Sequence, residues 1–218
     1  MDRKTINQLL LLLPLLLLLF SALLPAGCKS NAQYLGKDEI TNYQGKPLSV
    51  PSLVPDVSIK GAPDIDMASY RLRVDGLVAS PQSYTYDQVI SKPLFTKLVV
   101  LHCVEGWDAT LLWEGVKISD LIQPADISPT CNTLIFHCAD GYTTSLPLAY
   151  VEDNNILLAF KANGITLPKN LGYPFMVVAE NKLGYKWAMW VTEIELSDNA
   201  QYKGYWEQRG YSNEADVK

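Results

Sequence analysis

Arginine is scarce in this 218-residue chain, occurring as Arg3, Arg71, Arg73 and Arg209. No run of basic residues makes up for it, and 18 Lys+Arg stand against 23 Asp+Glu. An acidic chain without a basic stripe argues against nucleic acid as a partner. Histidine is scarcer still, with His102 and His137 alone, and neither stands at a zinc-type spacing from the cysteines. No Ser-His-Asp pattern, phosphate loop or Cys-x-x-Cys-His haem attachment is present. The usual hydrolase and nucleotide-binding chemistries therefore have no carrier here, and any redox reaction needs a separate electron carrier.

The N-terminus is read as a leader and set aside before the fold is considered. Asp2-Arg3-Lys4 is followed by a leucine run over 9–20 that Pro14 interrupts. That run falls short of the roughly 20 residues a membrane span needs. Leu24-Pro25-Ala26-Gly27-Cys28 resembles a bacterial lipobox, which makes residues 1–27 a lipoprotein-type signal peptide and Cys28 the lipidated first mature residue. The mature chain is then expected outside the cytoplasm, as a periplasmic or cell-surface lipoprotein held at the membrane by its lipid. Its 191 residues (218 − 27) suit one domain with a substantial core. Of the mature cysteines Cys103, Cys131 and Cys138, an odd number, at least one is unpaired or metal-bound. Cys131 and Cys138 in one extended strand would lie about 23 Å apart, too far for a bridge. Cys138 is expected in the core.

Residues 28–69 read as an extended lead that wraps the domain, because Pro47, Pro51, Pro55 and Pro63 with Gly45 and Gly61 forbid long helices. Residues 70–218 read as the domain proper. Tyr70, Leu72 and Val74 alternate with polar neighbours as in a half-buried strand. A short helix is expected near Tyr86–Ser91, and an apolar strand over Leu98–His102. Ser119 is read as the cap of a helix reaching Ile122. Asn132–Ala139 and Tyr142–Leu148 flank Asp140-Gly141, and Ile156–Ala162 and Ile165–Leu167 flank Asn163-Gly164, two hairpin signals. Phe175–Ala179 and Trp187–Leu196 read as further strands. The pattern is α+β, with a mixed sheet or barrel-like core and a few short helices.

One thiol has a distinctive setting. Cys103-Val104-Glu105-Gly106-Trp107 closes the apolar strand and precedes Trp113-Glu114-Gly115-Val116. Together with Tyr70–Val78, Asp140–Leu146, Ile156–Ala159, Gly172-Tyr173-Pro174, Gly184-Tyr185-Lys186-Trp187 and Gly204–Ser212, in that order, this resembles the sulfite-oxidase-type molybdopterin-dependent oxidoreductases. The resemblance runs from about residue 40 to 213.

It implies a molybdenum held by the dithiolene of one pyranopterin and by Cys103 as thiolate, with oxygen-atom transfer on a small molecule of the sulfite or sulfoxide kind. A soft thiolate suits a high-valent metal and tunes its potential. The same resemblance assigns cofactor contacts to Ser58, Lys60, Thr144, Gly184, Tyr185 and Lys186, with Lys186 and the Gly184-Tyr185 backbone at the pterin phosphate. The implied electron partner is a cytochrome or a membrane haem or quinone protein. Three positions depart from the family pattern: Val57 stands where Asn is common, Met176 where Arg is common, and Met189 where Lys is common. With few arginines, a neutral substrate is favoured over a small oxyanion. The rival reading is a cofactor-free binding or assembly lipoprotein of the same fold, suggested by those departures and by Arg3-Lys4 standing where export of a preloaded enzyme would use a twin arginine.

Overall fold

The computed structural model describes residues 38–218. The leader and Cys28 lie outside them. Among the described residues no helix is long and apolar enough to cross a membrane.

A two-residue ribbon, β1 (Asn42–Tyr43) and β2 (Lys46–Pro47), comes first. The segment around it is tied down by backbone pairing. Ile40 N–H donates to Asn163 O, Ser49 N–H to Thr110 O, and the Asn163 side chain to Ser49 O. β3 (Leu72–Gly76) and β4 (Gln82–Tyr84) form a hairpin leading into α1 (Tyr86–Ile90). Thr85 and Gln88 close a reciprocal capping box on α1, satisfying two helix-start donors at once. β5 (Phe95–His102) and β6 (Asp108–Lys117) form the longest ladder, followed by α2 (Ile118–Ile122). Lys117, with no side-chain bond, caps α2, while Ser119 lies inside it; the expected serine cap is corrected by two residues.

β7 (Thr133–Cys138) and β8 (Thr143–Pro147) turn at Asp140-Gly141, and α3 (Leu148–Asp153) follows. β9 (Leu157–Ala162) and β10 (Ile165–Thr166) turn at Asn163-Gly164, where both residues hold positive φ (52° and 80°). That is the conformation a tight hairpin of this sequence favours. β11 (Met176–Val178) and β12 (Val191–Ser197) complete the order.

Two five-stranded sheets result, giving the expected α+β class. One has the order β4-β3-β12-β7-β8, with β3 and β12 parallel and the other pairs antiparallel. The other runs β10-β9-β6-β5, with β11 also paired to β9. One hydrophobic cluster joins them, including Leu72, Phe136 and Ile194 from the first and Leu111, Leu158 and Val177 from the second. Cys138 is buried in that cluster, and Cys103, Cys131 and Cys138 are all free thiols.

The strand expected over Trp187–Leu196 begins only at Val191. Gly184–Lys186 is a 3-10 turn, and Trp190 holds φ +54°, which breaks any ladder there. β6 was not anticipated. Its burial runs on both faces, so it lacks the alternation that marks a half-buried strand. Its Gly115 is forced by packing: a Cβ there would lie 2.3 Å from the Leu158 carbonyl oxygen of β9. Gly115→Ala is expected to destabilise the fold by about 1–3 kcal/mol. Urea unfolding measures it, and an unchanged midpoint would show that β6 and β9 do not approach this closely.

Candidate functional site

Cys103 follows the last residue of β5, and its turn is closed at both ends. Its N–H donates to Trp107 O (2.9 Å), and Gly106 N–H donates to Cys103 O (3.1 Å). Gly106 holds φ +87°, which lets the chain reverse in so few residues. His102 pairs through Nδ1 with Asp108 Oδ1 at 2.7 Å, across the mouth of the ladder, and is not part of the cleft lining.

The turn opens on a cleft of about 330 Å³. Cys103 shares its lining with Ser58, Gly184, Tyr185 and the aromatic walls Trp187 and Trp190. Gly184 is pressed against the end of β5: a Cβ there would lie 3.3 Å from His102 O and 3.6 Å from Cys103 Cα. The neighbouring Leu183 bridges His102 in parallel. Tyr185 is braced at both ends, its carbonyl accepting from the Tyr142 hydroxyl and its own hydroxyl donating to Ser212 O (2.8 Å). Burial pushes the Tyr185 hydroxyl up to about 12, which keeps it a donor at neutral pH.

Two further features of the lining are chemical. Trp113, Trp187 and Trp190 all donate their indole N–H to backbone carbonyls, whereas the buried Trp107 Nε1 has no partner. Trp107 itself lines the cleft with Cys103. Burial is also the largest influence on the Cys103 thiol and raises it above the ordinary cysteine value. Hydrogen bonds from the Glu105 and Val104 backbone pull the other way. The thiol is therefore protonated at neutral pH until something replaces the proton.

The three positions that depart from the family pattern meet in this one cleft. Val57, Met176 and Met189 all line it. Met176 and Met189 form an isolated antiparallel bridge, and Gly172 backs both: a Cβ there would lie 3.1 Å from Met189 Cβ and 3.2 Å from Met176 Cβ. The charged lining residues are Asp56, Glu105 and Asp140; no lysine or arginine is among them.

The structure does not gather all the expected cofactor contacts. Lys60 is exposed and stands outside the lining, its Nζ 3.4 Å from where a Cβ at Gly141 would be, beside the Asp140-Gly141 turn. Thr144 is buried and donates to Glu207 Oε1 at 2.7 Å. Lys186 is 1% exposed and is bonded within the protein, away from the lining. Burial lowers its ammonium below the ordinary lysine value, against the opposing pull of Glu207. Sequence reasoning gave no role to Trp206 and Tyr211 in the cleft wall. Their recurrence in the closing motif Gly204–Ser212 was the available signal.

Comparison with known proteins agrees with this architecture. The family profile described as "oxidoreductase molybdopterin binding domain" matches residues 59–206. A chain named as the protein-methionine-sulfoxide reductase subunit YedZ1, from Azospira oryzae, is 32% identical over 149 residues, covering 68% of this chain and 56% of that one. The oxidoreductase YuiH of Bacillus subtilis is 28% identical over 188 residues, covering 84% of this chain and 94% of its own length. Human mitochondrial sulfite oxidase is 26% identical over 180 residues, with 68% and 33% covered. The chain thus spans about half of the first relative and one third of the last. The crystal structure of the sulfane dehydrogenase SoxCD from Paracoccus pantotrophus superposes with a TM-score of 0.62 at 23% identity, covering 80% of this chain and 54% of that one, which establishes a shared fold. The chain belongs to the oxidoreductase molybdopterin-binding domain family, the molybdopterin oxidoreductases of the sulfite-oxidase type.

Proposed function

We propose that this protein is an extracytoplasmic, lipid-anchored molybdenum oxidoreductase of the oxygen-atom-transfer class, with Cys103 as the protein's ligand to the metal. The observation that carries this reading is that Cys103 and Trp107, whose buried N–H has no partner, line one aromatic-walled cleft. A soft sulfur donor, a buried N–H in need of an acceptor and flat apolar walls suit a metal carried on a polar heterocycle. When bound, molybdopterin supplies the two-electron redox chemistry and the site for the transferred oxygen atom.

The protein's own groups have distinct tasks in this reading. Cys103 gives up its proton as it binds the metal, which the raised thiol resists in the free protein. Trp107 Nε1 would be free to donate to the bound group, and Ser58 and the Gly184-Tyr185 backbone would offer polar contact from the cleft lining. Lys60, at the edge of the cleft, is the cation we place toward the phosphate. Trp187, Trp190, Trp206 and Tyr211 exclude water from the reacting face.

Without a lining lysine or arginine, the cleft offers no fork for an anionic substrate. A neutral sulfoxide is favoured over sulfite, in line with the name of the Azospira relative, a protein-methionine-sulfoxide reductase subunit. Electrons come from a separate carrier, a cytochrome or a membrane haem or quinone protein, since the chain has no haem-attachment motif. Lipidation at Cys28 places the enzyme at the membrane beside such a carrier.

Three outcomes follow. Protein purified from its native compartment is expected to carry about one molybdenum per chain. Cys103→Ser should lower sulfoxide turnover at least about 100-fold, as expected when a metal ligand is removed. A folded wild-type protein without molybdenum would favour the cofactor-free binding or assembly role instead. In protein free of cofactor, alkylation of Cys103 should climb about tenfold per pH unit between pH 7 and 9, because only the thiolate reacts. A plateau below pH 8 would contradict a thiol raised by burial.

A further inference from the structure

Lys186 has no donor left for a ligand. Its Nζ donates to Ser145 O (3.0 Å), Glu207 Oε1 (2.6 Å) and Asn213 Oδ1 (2.9 Å), and an ammonium has three N–H bonds. The side chains of Lys186 and Glu207 are 1% and 0% exposed. Glu207 Oε1 also accepts from Thr144, while its Oε2 has no partner, so both donors meet on one oxygen.

The acceptors of Lys186 come from two places. Ser145 belongs to β8, whereas Glu207 and Asn213 belong to the C-terminal strap, residues 204–217. That strap is anchored at its two ends as well. Tyr205 N–H donates to Thr143 O, and a Cβ on Gly204 would lie only 2.1 Å from the same oxygen. At the far end Leu183 N–H donates to Ala215 O and Val217 N–H to Asn181 O. Between these anchors the strap carries Trp206 and Tyr211 into the cleft wall, where their rings pack 5.2 Å apart and Tyr211 meets Tyr185 edge-on at 5.2 Å. Lys186 is the charged mid-span tie, beside the Tyr185 hydroxyl on Ser212 O and Thr144 on Glu207.

We propose that Lys186 is a positioning residue: it ties the middle of the C-terminal strap to β8, so that Trp206 and Tyr211 close the cleft, and it does not meet the cofactor phosphate. A buried charge with every donor committed cannot turn toward an anion without abandoning Glu207 in a dry site, which is strongly unfavourable. The role of Thr144 follows from the same geometry, as it steadies Glu207 from the β8 side.

The wild-type protein provides the first test. Lysine acetylation read by mass spectrometry is run on protein from a host unable to make the pterin and on the molybdenum-loaded protein. A tie predicts Lys186 protected in both. Lys186 modified in the cofactor-free protein and protected in the loaded one would overturn the proposal. The second test uses trypsin, for which Lys203 and Arg209 are exposed sites on and beside the strap. Lys186→Met should raise cleavage at Arg209 at least about tenfold and lower the Tm by roughly 10 °C. The paired variant Lys186→Met with Glu207→Met removes both charges, and should recover most of the Tm and the protection at Arg209. Unchanged cleavage in Lys186→Met, or a paired variant with restored Tm whose molybdenum content falls below a tenth of wild type, would contradict it. The molybdenum readout rests on the proposed function. Wild-type protein without molybdenum would end that reading and leave the acetylation and trypsin results to decide this one.

Discussion

The approach of Gly184 to the end of β5 is the contact on which the rest of the site depends. A side chain at this position would meet the His102 carbonyl at 3.3 Å and the Cys103 Cα at 3.6 Å. Glycine lets the 3-10 turn Gly184–Lys186 lie flat on the Cys103 turn, and the two neighbours of Gly184 extend the contact both ways. Leu183 bridges His102 and receives the C-terminal strap at Ala215. Tyr185 receives the Tyr142 hydroxyl and holds Ser212. One short segment thus joins the thiol-bearing turn of one sheet, the β7–β8 hairpin of the other, and the strap that walls the cleft. The thiol is placed by tertiary contact on both sides, which is the preorganisation a metal ligand requires.

The cleft pairs a soft thiol with largely apolar walls, and its charged residues are all acidic. Val57, Met176 and Met189 are far apart in sequence and share one surface, and the two methionines face each other across a bridge. In the proposed reading the holds on a ligand are the Cys103 sulfur, the Trp107 N–H, backbone and shape, with Lys60 beside the Asp140-Gly141 turn.

Much of this architecture was legible in the sequence because local chemistry and tertiary fold agree. Asp140-Gly141 and Asn163-Gly164 supply the positive φ values their hairpins need, and the strands beside them are bounded accordingly. β6 escaped because both its faces are buried, which erases alternation. The strand expected from Trp187 was too long because an apolar run does not reveal that Trp190 sits in the left-handed region. At the site, Cys103, Gly184 and Tyr185 could be placed through a motif, since their neighbours along the chain build the turn. Lys186 and Thr144 could not, because their common partner Glu207 lies 21 and 63 residues away and only the folded strap brings it between them. The unpartnered Trp107 N–H was equally invisible, since a lack of partners is a property of the whole fold.

The central claim is that Cys103 binds molybdenum through sulfur, and X-ray absorption at the molybdenum edge tests it most directly. The wild-type spectrum should show the sulfur shell of one dithiolene plus a further thiolate. Cys103→Ser protein that still carries the cofactor should lose one sulfur neighbour and gain an oxygen. An identical sulfur shell in the two proteins would contradict the account.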